Sequence, residues 1–265
     1  MDEAGLFTLL GDRVLTIALS MTRVASVFVL MPLFTREGIP ALVRNAMFLA
    51  MTMIVVTVQP AAELHHLEAG DWIALFAKEA FIGVAIGVFF GFFLWAFEAA
   101  GTVIDMQIGS SFALFFDPIV GNEVTLIGQF LERWATYLFV AAGGLLLLTG
   151  ALMESFAIWP VSEPITSWRQ ASVALFEGEL SRFMSLAIRI AAPIMVALLV
   201  VDAAMGLVNR YAQQFNVFFL SSSLKSILGV LLLLVMLPYL ASLLLDELAA
   251  QPARVEAVLE RVLEP

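Results

Sequence analysis

Ionisable side chains recur inside the long apolar stretches of this sequence, and side chains of these types can carry protons or hold ions. Each costs about 2.5–3.5 kcal/mol at the centre of a membrane helix, so such groups normally face protein or water and are paired. One hypothesis is therefore a proton or ion pathway. The other is that neighbouring helices and partner subunits cover the charges. The side chains are Arg23, Arg44, Glu98, Glu132, Arg133, Arg189 and Asp202.

Residue types that would support other chemistry are scarce. The sequence has no cysteine, and its only two histidines, His65 and His66, lie together in an acidic loop. It contains no His–Glu zinc motif, no Gly-x-Ser-x-Gly motif and no pair of aspartates at helical spacing. We expect no catalytic residue, no metal and no cofactor, and an intramembrane enzyme ranks last among the hypotheses.

Composition defines the class of protein. Hydrophobic residues make up 62% of the chain, charged residues make up 14%, and the mean hydropathy is +0.98. Soluble domains are about half apolar and about a quarter charged. Long apolar runs without strand-like alternation predict an all-α, polytopic helical membrane protein. The net charge of −10 argues against nucleic-acid binding.

Six hydrophobic helical segments are predicted to form hairpins. Pro32 and Pro40 bracket a short connection, which makes the first two segments an antiparallel hairpin. We expect one membrane domain over 1–245 and an acidic amphipathic tail over 246–265. The six segments are 14–34, 41–58, 80–104, 127–157, 183–208 and 226–245.

Three glycines follow one another at four-residue spacing in the third segment. Gly83, Gly87 and Gly91 recur about once per helical turn, so they form a groove without side chains along one helix face. Small residues let membrane helices approach closely. The groove predicts a tightly packed helix within a larger assembly, and the alternative is a chance scatter of glycines through a membrane span.

Two loops distinguish between the hypotheses for the charges. In the first, Gly109 and Pro118 stop helices around Ser110–Phe116, a segment too apolar for a solvated loop and too short to span a membrane. Irregular backbone at membrane depth is tolerated only inside protein or along a cavity. The second loop, 207–226, alternates apolar and polar residues.

These loops belong to a pattern that is spread over most of the chain. Its most specific block runs from Asp202 to Leu220 and fits D-x-A-x-G-L-x-N-R-x-A-P-Q-x-N-V-F-x-L, except that Gln213 stands at the proline. Just after this block, Ser222 and Ser223 stand where the same pattern commonly has a Met-Pro pair. The other matching residues are Arg23, Pro32, Phe34, Pro40, Arg44, Glu79, Gly83, Gly87, Gly101, Gln107, Gly109, Asp117, Pro118, Lys225 and Ser226.

The pattern resembles the T-subunit family of the type III secretion export apparatus, whose flagellar counterpart is the R protein of the flagellar export gate. The resemblance implies a subunit of a protein-export gate in the bacterial inner membrane, linked to virulence. One T subunit would close a hetero-oligomer of R-type and S-type subunits, and unfolded secreted proteins would pass through its centre. Further implied partners are U-type and V-type export components and membrane lipid. The family is not enzymatic.

The resemblance also suggests roles for particular residues. A narrow apolar constriction can seal a channel by dewetting, so the loop segment is a candidate plug, and the alternative is a loop packed against its neighbours. The plug residues are Ser110, Ser111, Phe112, Ala113, Leu114, Phe115 and Phe116. Independently of the resemblance, Asp202 is expected to pair with Arg210, because Arg210 and Lys225 carry the only charges between Asp202 and Asp246 and Arg210 lies about two helical turns away. Structural or inter-subunit polar contacts are expected of Arg23, Glu98, Asp117, Pro118, Asp202, Asn209, Arg210 and Lys225.

A secondary transporter of ions or small solutes is the alternative function. The buried charges favour it, but transporters of this kind usually contain matched halves with broken helices, and the sequence shows no convincing internal repeat. An export-gate subunit would require unlike partners, whereas a lone transporter would not.

Overall fold

Helices form all the regular structure in the part of the chain that the computed structural model describes, which comprises residues 3–34, 39–58, 69–109, 125–162, 171–211 and 217–263. The all-α class is therefore confirmed. A short 3-10 turn covers Pro32–Phe34. The helices are α1 Glu3–Leu30, α2 Ala41–Val58, α3 Ala69–Ile108, α4 Leu126–Ala141, α5 Gly144–Ile158, α6 Ala171–Tyr211 and α7 Val217–Leu263.

Several of these helices have the length and composition of membrane spans. Within the described ranges α1, α3, α6 and α7 qualify, and α4 with α5 would add a fifth span if the bent pair is counted as one. The apolar part of α2, Ala41–Thr57, is shorter. The predicted count of about six is thus corrected to four or five, and the chain is a multi-pass helical membrane protein.

The predicted span 127–157 is two helices. α4 ends at Ala141, α5 begins at Gly144, and the two are bent by 71°. Gly143 between them has φ +85°, in the left-handed region. Glycine adopts this conformation without the steric penalty that a Cβ would bring, so it ends a helix readily. The apolar pattern continues across this glycine, which is why the pattern did not reveal the break.

Several helices extend well beyond the predicted apolar segments, and α6 with 41 residues is among the longest. α3 has 40 residues and α7 has 47. The start of α3 carries Asp71 and Lys78 but no proline, and polar side chains do not end a helix. α7 continues past residue 245 and through Pro252, so the proposed start of the tail lies inside a helix. The division into membrane domain and tail stays a prediction.

The chain divides into two compact units. The first comprises 1–91, 143–176 and 252–265. Here α1 and α2 pack as a hairpin around three phenylalanines: the Phe28 ring lies 4.9 Å from Phe34 and 5.7 Å from Phe48, centroid to centroid. Stacked and edge-to-face rings at these distances stabilise a core.

The second unit comprises 92–142 and 177–251. Its core pairs aromatic residues of α3 and α4, with the Phe93 and Phe139 ring centroids 5.5 Å apart. Gly229 of α7 lies close to the side chain of Ile108, because a Cβ added at Gly229 would come within 2.7 Å of Ile108 Cδ1. α7 therefore packs closely on the end of α3.

Candidate functional site

The glycine groove of α3 is occupied by α1 of the same chain. A Cβ placed on Gly83 would lie 2.5 Å from the carbonyl oxygen of Arg23, and one on Gly87 would lie 2.9 Å from the carbonyl oxygen of Val27. Gly91 is also buried. The two backbones touch because no side chain separates them. The role of the groove in a larger assembly stays a prediction.

A buried ion pair joins α1 to α3 beside this groove. Arg23 Nε donates to Glu79 Oε2 at 2.6 Å and Arg23 Nη2 to Glu79 Oε1 at 2.9 Å. Both side chains are fully buried. Lys78 Nζ lies 2.9 Å from Glu79 Oε1, so one carboxylate serves two cations. Such bidentate pairing is the arrangement that lets an arginine stay charged away from water.

The same two cations bind the carboxyl end of α5. Arg23 Nη1 donates to the Ser155 carbonyl oxygen at 2.9 Å, and Lys78 Nζ donates to the Pro160 carbonyl oxygen at 2.8 Å. Arg23 Cζ also stands 4.0 Å from the centroid of the Phe156 ring. Helix carboxyl ends carry unpaired carbonyls and partial negative charge, so two cations there are favourable. These contacts pair Arg23 within the chain, and its expected role as a structural polar residue stays a prediction.

In the second unit, a second glycine contact joins α3 to α4. A Cβ on Gly101 would lie 2.6 Å from Gly128 Cα. Asp105, one helical turn along α3, accepts hydrogen bonds through Oδ2 from the N–H groups of Ile127 at 2.8 Å and Gly128 at 3.2 Å. Thr125 occupies the N-cap position of α4 without making a side-chain capping bond. Asp105 therefore caps α4 from another helix.

A polar cluster in the second unit joins the end of α3 to α6 and α7. Asp202 of α6 accepts from Gln107 Nε2 at 3.0 Å and from the Ser221 hydroxyl at 3.3 Å. Lys225 Nζ of α7 lies 2.9 Å from Asp202 Oδ1 and donates to the Gln107 carbonyl oxygen at 2.9 Å. Lys225 thus neutralises Asp202 and satisfies an orphan carbonyl at the end of α3.

This cluster corrects the expected partner of Asp202. Arg210 lies eight positions further along α6 and its side chain is exposed, as is that of Asn209. Lys225 comes from a different helix and reaches the carboxylate, a pairing that spacing along one helix does not reveal. Among the described residues, the cation placed on Asp202 is Lys225.

The remaining candidates lie in different surroundings. Arg44 donates to the Phe34 carbonyl oxygen at 3.3 Å across the first hairpin. Glu98 is half-buried, and its backbone carbonyl accepts from the Thr102 hydroxyl. Arg133 and Arg189 are exposed. The predicted plug, Ser110–Phe116, lies outside the described residues, as do Asp117 and Pro118.

Several residues of these contacts were not among the predicted site residues. They are Lys78, Glu79, Asp105, Gln107 and Gly128. A signal existed for the carboxylates, because Glu79 and Asp105 lie in or beside an apolar stretch where an unpaired charge would be costly. No signal identified their partners. Within the described ranges no group of three His, Cys, Asp or Glu side chains could hold a metal.

Comparison with known proteins shows that the sequence is similar to bacterial export proteins. The sequence profile of "Bacterial export proteins, family 1" matches residues 14–250. The chain is 29% identical over 232 residues to secretion system apparatus protein SsaT of Salmonella typhimurium, covering 86% of this chain and 89% of that protein. It is 28% identical over 231 residues to Yop proteins translocation protein T of Yersinia pestis, covering 86% and 87%.

A flagellar relative is similar at the same level. The chain is 30% identical over 217 residues to flagellar biosynthetic protein FliR of Bacillus subtilis, covering 80% of this chain and 82% of that protein. The matched region takes in most of α1, all of the Arg23, Asp105 and Asp202 clusters, and most of α7. The chain belongs to the family of bacterial export proteins, family 1.

Proposed function

We propose that this chain is a subunit of the inner-membrane export gate of a type III protein secretion system. The observation that carries the proposal is the family match over residues 14–250, together with relatives named for secretion, translocation and flagellar biosynthesis. The proposed role is structural rather than catalytic. The chain helps to form and seal a channel for unfolded secreted proteins.

The contacts of the described residues support a gating role for the segment after α3. The helix before this segment ends at Ile108, where Lys225 and Asp202 hold Gln107. The helix after it begins at Leu126, where Asp105 holds the first free N–H groups. Two polar anchors thus hold the helix ends that flank the segment. In the proposed arrangement, a plug at 110–116 would be held between two helix ends that are fixed in this way.

The uncovered apolar surface supports an assembly with R-type and S-type subunits. Only 28% of the apolar window of α6 and of α7 is buried within the chain, compared with 50% for α3. Tyr211 at the end of α6 is 85% exposed. A helix apolar all round is covered by lipid or by protein. Partners of the same apparatus, including U-type and V-type components, are the proposed neighbours.

Co-purification and secretion together test this function. A tagged full-length chain expressed with R-type and S-type subunits is expected to elute as one hetero-oligomer, with a native mass well above that of the 28.9 kDa chain. Deleting the gene from its host is expected to abolish secretion, and the tagged chain should restore it. Two results together would favour the secondary transporter instead: the tagged chain elutes alone, and the deletion strain still secretes.

A further inference from the structure

A polar cavity lies between α6 and α7 in the second unit. Its volume is about 320 Å³. One wall is a single face of α6, because the residues recur at three- and four-residue spacing. Glu247 of α7 stands opposite. The α6 residues are Gly178, Ser181, Arg182, Ser185, Leu186 and Arg189.

The position of this cavity along the membrane normal can be inferred from the antiparallel pairing of the two helices. Lys225 meets Asp202 at one end, and Glu247 lies 22 positions further along α7. That distance is about 33 Å at 1.5 Å per residue, which is close to the hydrocarbon thickness of a bilayer. The cavity and the Asp202 cluster therefore lie at opposite ends of one apolar stretch. For an α7 that spans the bilayer over this stretch, the cavity would lie at the level of the lipid headgroups.

The charges of the lining favour a ligand with one negative charge. The lining contains two arginines and one glutamate, and Glu179 lies beside it as the partner of Arg182, so Arg189 is the cation left for an anionic ligand. Arg182 is committed only to a partly exposed pair with Glu179 at 3.1 Å, and pairs of this kind contribute little and exchange readily. Among the described residues, no carboxylate lies within ion-pair distance of Arg189, although it stands in an apolar helix.

We propose that this cavity binds the phosphodiester headgroup of a membrane phospholipid. The guanidinium groups of Arg182 and Arg189 match phosphate oxygens in bidentate geometry, and the hydroxyls of Ser181 and Ser185 add donors. Arg189 lies further along α6 toward Asp202 than Arg182 does, and so further from the headgroup level. Its aliphatic stem lets the charged end reach back toward that level. Leu186, which is buried, provides an apolar floor. The site does not depend on the export role.

Native mass spectrometry of the delipidated full-length chain in neutral detergent tests the proposal. The probes are dioleoylphosphatidylglycerol, dioleoylglycerol with the same tails but no phosphate, and inorganic phosphate. We expect one retained phosphatidylglycerol, weak retention of dioleoylglycerol, and no displacement by millimolar inorganic phosphate. Equal retention of both lipids would overturn the proposal. Displacement by inorganic phosphate would assign the site to free phosphate rather than lipid, which would also overturn it.

Matched variants connect the binding to this cavity. Arg189→Gln is expected to weaken retention about tenfold, and Arg189→Lys to restore part of it. Arg133→Gln removes another exposed arginine of the same unit and should change nothing. Should Arg189→Gln fail to fold, the double variant Ser181→Ala with Ser185→Ala serves instead, because both serines are exposed and their loss should not disturb folding. This double variant is expected to weaken lipid retention. Unchanged retention in the folded variants would overturn the proposal.

Discussion

Lys225 Nζ lies 2.9 Å from Asp202 Oδ1, and this pair joins α6 to α7 where α3 ends. The Lys225 side chain is 13% exposed and the Asp202 side chain 37%. A pair with this degree of burial contributes modestly by itself. The Lys225 ammonium also donates to the Gln107 carbonyl oxygen, an acceptor that α3 cannot satisfy internally. The pair is therefore part of a contact among three helices.

Lys225→Ala is expected to lower the stability of the chain by about 1–2 kcal/mol, because it removes a charged hydrogen bond and leaves Asp202 without its cation. Arg210→Ala is the control, since Arg210 is exposed at the end of α6. Thermal unfolding in detergent, followed by circular dichroism, measures both variants. If Arg210→Ala proves the more destabilising, the pairing described here does not hold in solution.

Asp105→Ala is expected to destabilise the start of α4 by about 1–2 kcal/mol, which is the usual cost of losing a helix cap. Asp105→Asn keeps an acceptor oxygen and should recover most of the loss. Hydrogen exchange of the amides of Ile127 and Gly128 reports directly on the bonds involved. Equal protection of these amides in wild type and Asp105→Ala would show that the cap is not formed.

Glu79→Gln is expected to be more damaging than Arg23→Met. The first change leaves two buried cations without their shared carboxylate, and the second leaves Glu79 with Lys78. Breaking a buried pair from one side costs about 3–5 kcal/mol. The yield of folded chain after membrane extraction and its unfolding temperature are the measurements. The opposite order of severity would contradict the sharing of Glu79 by two cations.

Gly83→Ala is expected to push α1 away from α3, because the new methyl group would lie 2.5 Å from the Arg23 carbonyl oxygen. The atom that the methyl group would meet belongs to the backbone of α1, which cannot move aside as easily as the end of a flexible side chain. Gly150→Ala is the matched control, since a Cβ there meets nothing within 4 Å. The control should be neutral or slightly stabilising, because alanine favours helix over glycine. Cysteine cross-linking of α1 to α3 distinguishes the two variants, and equal cross-linking would argue against the close contact.

Replacing Phe112, Phe115 and Phe116 with alanine tests the proposed plug. Each phenylalanine loses most of its side chain, so the constriction should widen and admit water. Assembly should survive because Gly109 and Pro118 are unchanged. We expect ions or small dyes to leak across the inner membrane when secretion is idle, with export retained. A triple variant that stays tight but fails to assemble would mean that these rings pack against neighbours.

Much of the helical architecture could be predicted because it depends on local composition. Long apolar runs identify membrane helices whatever they pack against, and the spacing of Gly83 and Gly87 identifies a face that must be tightly packed. The block from Asp202 to Leu220 was specific enough to indicate the family without any structure.

The partners of these features depend on how the helices pack, which local patterns do not specify. Arg23 and Glu79 are 56 positions apart, and only the packing of α1 on α3 brings them to 2.6 Å. The break at Gly143 lies inside an unbroken apolar pattern, so only the backbone conformation reveals it. Charge spacing along α6 suggested Arg210 for Asp202, but the antiparallel approach of α7 brought Lys225 closer. Residue type determined where charges needed partners, and tertiary packing decided which partners they found.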